Sequence, residues 1–104
     1  MRNQSVKKIS QPDIIPYILR SIIGHGGQAE KRVVEQEVYD ELKRFFDQPW
    51  YQEPTVSNIP RWQETVDYAR NLARENGWIK PVEKSGAGIW AITEAGKMKV
   101  QNNS

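Results

Sequence analysis

Apolar residues recur at intervals of three and four in three stretches of the chain, then give way to short clusters near its end. Ile15, Ile18 or Leu19, and Ile22 form the first stripe, which is the spacing of one helix face. Asp13 is the expected N-cap. That puts Pro16 at the third helical position, where a backbone donor is not needed. Gly24-His25-Gly26-Gly27 ends this helix near Ile23, because glycine adopts the left-handed backbone that helix ends favour. Residues 28–32 form a short link with room for a single strand bridge. A second helix is expected from about residue 31 to 46, with Val34, Val38, Leu42 and Phe45 on one face. Glu37, Asp40, Glu41 and Arg44 occupy the other face.

Two prolines break the pattern over residues 47–58, an expected loop whose Trp50 and Tyr51 either fold back as a lid over the core or form an exposed aromatic contact surface. Ser57 or Asn58 then caps a third helix with Pro60 in its first turn. Its stripe is Ile59, Trp62, Val66, Ala69 and Ala73, flanked by Leu72, and Asn76-Gly77 ends it. Residues 78–82 read as a strand, placed at an edge by Pro81. Residues 83–88 read as a turn and 89–92 as the returning strand. Thr93 and Glu94 open a short helical turn before a polar tail. A two-stranded ribbon is unstable alone in water, so Trp78, Ile89 or Trp90, and Ile92 are expected to cover the open end of the helices. The order implies an α+β, mainly α fold: a winged helix-turn-helix with a three-helix core and a β-hairpin wing. It would span residues 13–98, between a flexible arm at 1–12 and a polar tail at 99–104.

A length of 104 residues accommodates one such domain. Four Trp, four Tyr and two Phe among 38% hydrophobic residues supply a core and exclude a disordered chain. No Cys is present, so disulfides and thiolate metal sites are excluded, and one His makes no imidazole cluster. Apolar runs such as Ile14-Ile15 are far too short to span a bilayer, and the polar start MRNQSVKK lacks the core of a signal peptide. A cytoplasmic location is expected. The net charge of +2 is unevenly spread: the excess lies near the two ends and the middle is slightly acidic. No single element carries the basic stripe of a strong polyanion binder.

Trp62, Val66, Tyr68-Ala69-Arg70, Leu72 and Asn76-Gly77-Trp78-Ile79 lead into Gly88-Ile89-Trp90-Ala91-Ile92-Thr93-Glu94-Ala95-Gly96. With Gly26-Gly27 and the Val34 to Leu42 run upstream, this pattern resembles the N-terminal winged-helix domain of Mrr-type restriction system proteins, over about residues 13–98. The resemblance implies a module that presents its protein to DNA, usually ahead of a restriction-type nuclease domain. Two features depart from that pattern. The chain leaves no room for the nuclease, so a stand-alone domain without cleavage activity is expected. Its loop between the second and third helices is long and aromatic.

No residue constellation points to catalysis. Glu41-Leu42-Lys43 has the letters of a nuclease acid-x-Lys triplet, but it falls mid-helix, where ordinary side-chain pairing accounts for it. Glu37, Asp40 and Glu41 read as a solvated helix face rather than a metal site. His25 stands in a glycine turn with no Ser or carboxylate expected to form a relay with it, and that turn lacks the ending of a phosphate loop. No metal, cofactor, small-molecule substrate or membrane contact is expected.

In a helix-turn-helix the third helix enters the major groove. Placing Trp62 in the core and turning 100° per residue puts Glu64, Asn71 and Glu75 at the centre of its outward face. Asp67 and Tyr68 then lie beside them, with Arg61, Gln63, Arg70 and Arg74 at the margins. The expected contacts to double-stranded DNA are Arg61, Gln63, Tyr68, Asn71 and Arg74, with Lys84 from the wing. Amide side chains suit adenine, while Arg suits guanine or phosphate. Lys80, Lys97, Lys99 and the arm residues Arg2, Lys7 and Lys8 could add phosphate contacts. Glu64, Asp67 and Glu75 oppose this, because they repel the phosphate backbone. The alternative is a protein-interaction module that binds a partner protein or a second copy of itself as a homodimer, docking through an exposed Trp50-Tyr51 pair.

Overall fold

In the computed structural model, which describes residues 5–102, the first apolar stripe becomes α1 (Gln11–Gly24). Its cap is Ser10 rather than Asp13: Ser10 Oγ accepts from the Asp13 amide at 3.2 Å. Asp13 instead lies in the first turn, where a carboxylate complements the helix dipole. Pro16 therefore sits inside the helix, one turn deeper than expected. Ile14, Ile15, Ile18, Leu19 and Ile22 are all buried, so α1 forms the axis of the core.

After the glycine turn, β1 (Gln28–Glu30) leads directly into α2 (Lys31–Glu41). The expected second helix is broken at Leu42, whose backbone leaves helical geometry before α3 (Lys43–Phe46). The break rotates the chain so that Phe46, not Phe45, enters the core. It also puts Glu41 and Lys43 on either side of a helix junction rather than mid-helix. The segment expected as loop contains a helical turn, α4 (Pro49–Gln52), started by Pro49.

The expected third helix is α5 (Arg61–Glu75), and its buried residues are Val66, Ala69 and Ala73. Trp62 is half-buried against the core, edge-on to Tyr39 at 4.7 Å between ring centroids. Pro60 occupies the N-cap position and no side chain caps the helix. Ser57 and Asn58 belong to a preceding turn instead. There the Asn58 amide donates to the Thr55 carbonyl at 2.8 Å, and Asn58 takes a φ of 64°, a conformation Asn tolerates better than most residues.

The expected hairpin is only partly formed. Ile79 makes a single bridge to Ile92, with the Lys80 amide donating to the Ala91 carbonyl at 2.9 Å. Pro81 cannot donate to a ladder, and after it the chain turns into α6 (Val82–Ser85). The two-stranded antiparallel sheet is made by β1 with β2 (Ile89–Ala91), in the register Gln28↔Ala91, Ala29↔Trp90, Glu30↔Ile89. Thus β2 is hydrogen-bonded on both sides.

The final helix, α7 (Glu94–Asn102), is longer than expected and runs through most of the expected tail. Val100 packs on the core. At the other end, Val6 and Ile9 also pack on the core. The Lys7 amide donates to Gln48 Oε1 at 2.9 Å, and the Ile9 amide donates to the Tyr51 hydroxyl at 3.1 Å. Much of the expected arm is thereby tied to the segment before α5. Arg2 lies outside the described residues. The result is an α+β, mainly helical domain with one small antiparallel sheet. Among the described residues no helix is long and apolar enough to cross a membrane.

Candidate functional site

The side of α5 turned away from α1 exposes Tyr68, 50% accessible, and Glu75. Asn71, Arg74 and Glu64 are half-buried beside them. Asn71 Oδ1 accepts from Arg70 at 3.1 Å, which aims its carboxamide along the helix surface. Glu64 takes a long hydrogen bond from Ser57 Oγ at 3.4 Å. Lys84 is exposed on α6, in the segment that returns towards β2.

Two expected contacts are engaged elsewhere. Arg61 donates to the Trp50 carbonyl at 2.6 Å and to Glu53 Oε1 at 2.9 Å, and its guanidinium lies 4.3 Å from the centre of the Trp50 ring. These bonds fasten α4 to the start of α5, which is a packing role. Gln63 turns towards α2 and donates to Glu35 Oε1 at 3.2 Å. Of the two expectations for this loop, the structure matches the lid: Tyr51 is 2% accessible and packs edge-on against Phe46. Its burial removes half of the pair on which docking of a protein partner rested. Trp50 is half-buried, with the Lys8 ammonium 4.6 Å from its ring centre.

Asp67 also turns inward rather than lying beside the outward face. It meets Lys31 Nζ at 3.4 Å, and Lys31 in turn lies 4.0 Å from Glu35. Glu35 is 3% accessible, the one buried charged residue among those described. Burial first, then the neighbouring Asp67 carboxylate, push its carboxyl up to about 8. At neutral pH it therefore holds its proton. A groove of about 480 Å³ opens beside this cluster, lined by Lys31, Arg32, Glu35, Gln63 and the Gly88-Ile89 segment. Arg32 stands at its mouth with its side chain 88% accessible.

Sequence reasoning overlooked this cluster, although a signal was present. Lys31 and Glu35 stand four apart on α2, Gln63 and Asp67 stand four apart on α5, and Glu35 falls in register with Val38 and Leu42. A carboxylate within an apolar stripe calls for a partner on the facing helix.

A larger cavity, of about 570 Å³, lies between α1 and α2. Here Ser21 and His25 both meet one carboxylate, Glu37, and make no Ser-to-His contact. Glu37 accepts from Ser21 Oγ at 2.7 Å and pairs with His25 Nε2 at 2.7 Å. The Ser21 bond first, then His25, hold the Glu37 carboxyl below its usual range. The carboxylate takes both bonds, so the imidazole is not the acceptor of the hydroxyl proton. This arrangement lacks the hydroxyl-to-base contact of an activated nucleophile.

Among the described residues, no three His, Cys, Asp or Glu side chains are placed to hold a metal ion. Trp78 and Trp90, expected as cover for the helices, pack on the core, and Arg70 stacks over Trp90 at 5.6 Å. Lys99 lies 4.8 Å from the Trp78 ring and Lys97 pairs with Glu94 at 3.2 Å, while Lys80 is exposed. Compared with known proteins, the chain matches no family model, no curated protein and no solved structure.

Proposed function

We propose that this chain is a non-catalytic DNA-binding domain of the winged helix-turn-helix type. Its role would be accessory or regulatory, like that of the DNA-recognition module that the sequence resembles in Mrr-type restriction systems. The observation that carries this reading is the outward side of α5. There Tyr68 is exposed with Asn71 and Arg74 half-buried beside it, while a neighbouring groove is lined by Arg32 of α2, Gln63 of α5 and the turn after Lys84. A phenol, a carboxamide and a guanidinium suit base edges and phosphates, and cations on adjoining segments suit the backbone on either side.

The order of elements supports the same reading. The helix α5 is followed by the Ile79 bridge, a projecting turn with Lys84, and β2, which is anchored to β1. In this scheme the turn is the wing, shortened by Pro81 to a helical turn and a glycine corner. The acidic character of α5 weighs less than the sequence implies. Asp67 is neutralised by Lys31, which leaves Glu64 and Glu75 on the outer side. Of the expected contacts, Tyr68, Asn71, Arg74 and Lys84 remain available, and Arg32 joins them. Arg61 and Gln63 hold the scaffold.

Titration of a fluorescent duplex of about 20 base pairs at low salt tests this proposal. Saturable binding at or below ~10 μM, weakening steeply as salt rises, is the expected result. No binding at tens of micromolar would overturn it.

A further inference from the structure

Glu35 on α2 and Asp67 on α5 meet around one ammonium, with Lys31 Nζ 4.0 Å from Glu35 and 3.4 Å from Asp67. Glu35 Oε2 and Asp67 Oδ1 are both buried, and neither has a donor among the described residues. Two ionised carboxylates do not persist side by side in a buried site, whereas one proton between them satisfies both oxygens. We propose that this shared proton is a catch between α2 and α5. In place, it holds α5, with its outward residues Tyr68, Asn71 and Arg74, at a fixed spacing from α2. Lost, it leaves two like charges in the contact and loosens α5.

The surroundings favour a single proton. From its own helix Glu35 faces Lys31, and from α5 it faces Asp67 and the Gln63 carboxamide. Arg70, one turn along α5, acts on Asp67. β1 contributes Glu30 to the groove, while β2 and the turn before it contribute only Ala87, Gly88 and Ile89. From α1, Ser21 and His25 turn to Glu37 instead. With one proton, Lys31, Glu35 and Asp67 sum to zero charge; without it the trio is negative beside Arg32. A polyanion would meet that charge, so its affinity should follow the proton. This last step rests on the DNA reading above, whereas the catch itself does not.

The test compares the full chain with Glu35→Gln, whose carboxamide donates to Asp67 in place of the proton. Three measurements are made between pH 6.5 and 9: the Glu35 carboxyl-carbon shift, the protection of α5 amides, and the affinity for a 20-base-pair duplex at constant salt. The carboxyl is expected to titrate near 8. By pH 9, α5 protection should fall about tenfold relative to Glu35→Gln. Duplex affinity should fall about fivefold in the natural chain and stay flat in the variant.

A carboxyl that titrates with the exposed glutamates would overturn the catch, as would equal loss of protection in both proteins. A catch that titrates while duplex affinity changes equally in both proteins would overturn its coupling to DNA. No duplex binding at any pH, with Glu35 still titrating near 8, would overturn the DNA reading and support the catch alone.

Discussion

Gly96 is where α7 comes closest to its neighbours. A methyl group there would overlap the Trp78 carbonyl oxygen and lie 2.7 Å from Ile92 Cγ1. Backbone cannot yield as a flexible side chain does, so Gly96→Ala should cost about 2–3 kcal/mol. A lowered urea midpoint with an unchanged slope would show it. Thr93 works on the same turn: its hydroxyl accepts from the Gly96 amide at 3.0 Å and donates to the Gly77 carbonyl at 2.6 Å. The Thr93 to Gly96 letters were conspicuous in the sequence, and their cause is now local: a helix cap followed by a close approach. Periodicity could not reveal that cause, because Trp78 lies across a turn and a strand from Gly96. The partners of Arg61 and Gln63 are hidden from periodicity for the same kind of reason. Helical rotation orders residues around their own axis, but Trp50 and Glu35 belong to other elements.

At the scale of elements, α1, α5 and their glycine ends were legible because a 3.6-residue period and a stop signal survive without knowledge of partners. The break at Leu42 was not, since Leu42 fits the apolar stripe on both sides of it. The hairpin was misread for a different reason. Pro81 was recognised as an edge residue, but its effect reaches further and turns residues 82–85 into a helical turn. Strand pairing passed to β1, which is only three residues long.

The α2–α5 contact carries a pH dependence with a defined sign. Glu35 has a folded value of about 8 against an ordinary value of 4.5. Between these the folded chain keeps a proton that the unfolded chain releases, so this contribution is full below the lower value and lost as pH rises through the upper. Unfolding free energy should fall by up to about 1.4 kcal/mol per pH unit across the window. Glu35→Gln should remove that slope, as read by urea unfolding at pH 5, 6, 7 and 8.

For the whole molecule, the distinction that matters is between cations that hold the fold and cations left over. Arg61 belongs to the first group and Arg74 and Lys84 to the second, while Arg32 pairs with the exposed Glu30 at 3.7 Å. Arg74→Ala and Lys84→Ala should each weaken duplex binding several-fold and lower the salt slope by about one phosphate. Stability should change by less than about 0.5 kcal/mol. Arg61→Ala should do the reverse, lowering stability by about 1–2 kcal/mol through lost packing and hydrogen bonds while leaving the salt slope unchanged.

The position of β2 has one more consequence. An unpaired strand edge invites a strand from another molecule, and small sheets are prone to such growth. Here β1 covers one edge of β2 and Ile79 the other, so the most apolar strand of the domain offers no template for templated stacking into fibrils. Among the described residues the outer rim of β1 is three residues long and ends at the charged Glu30, too little for a second chain to grip.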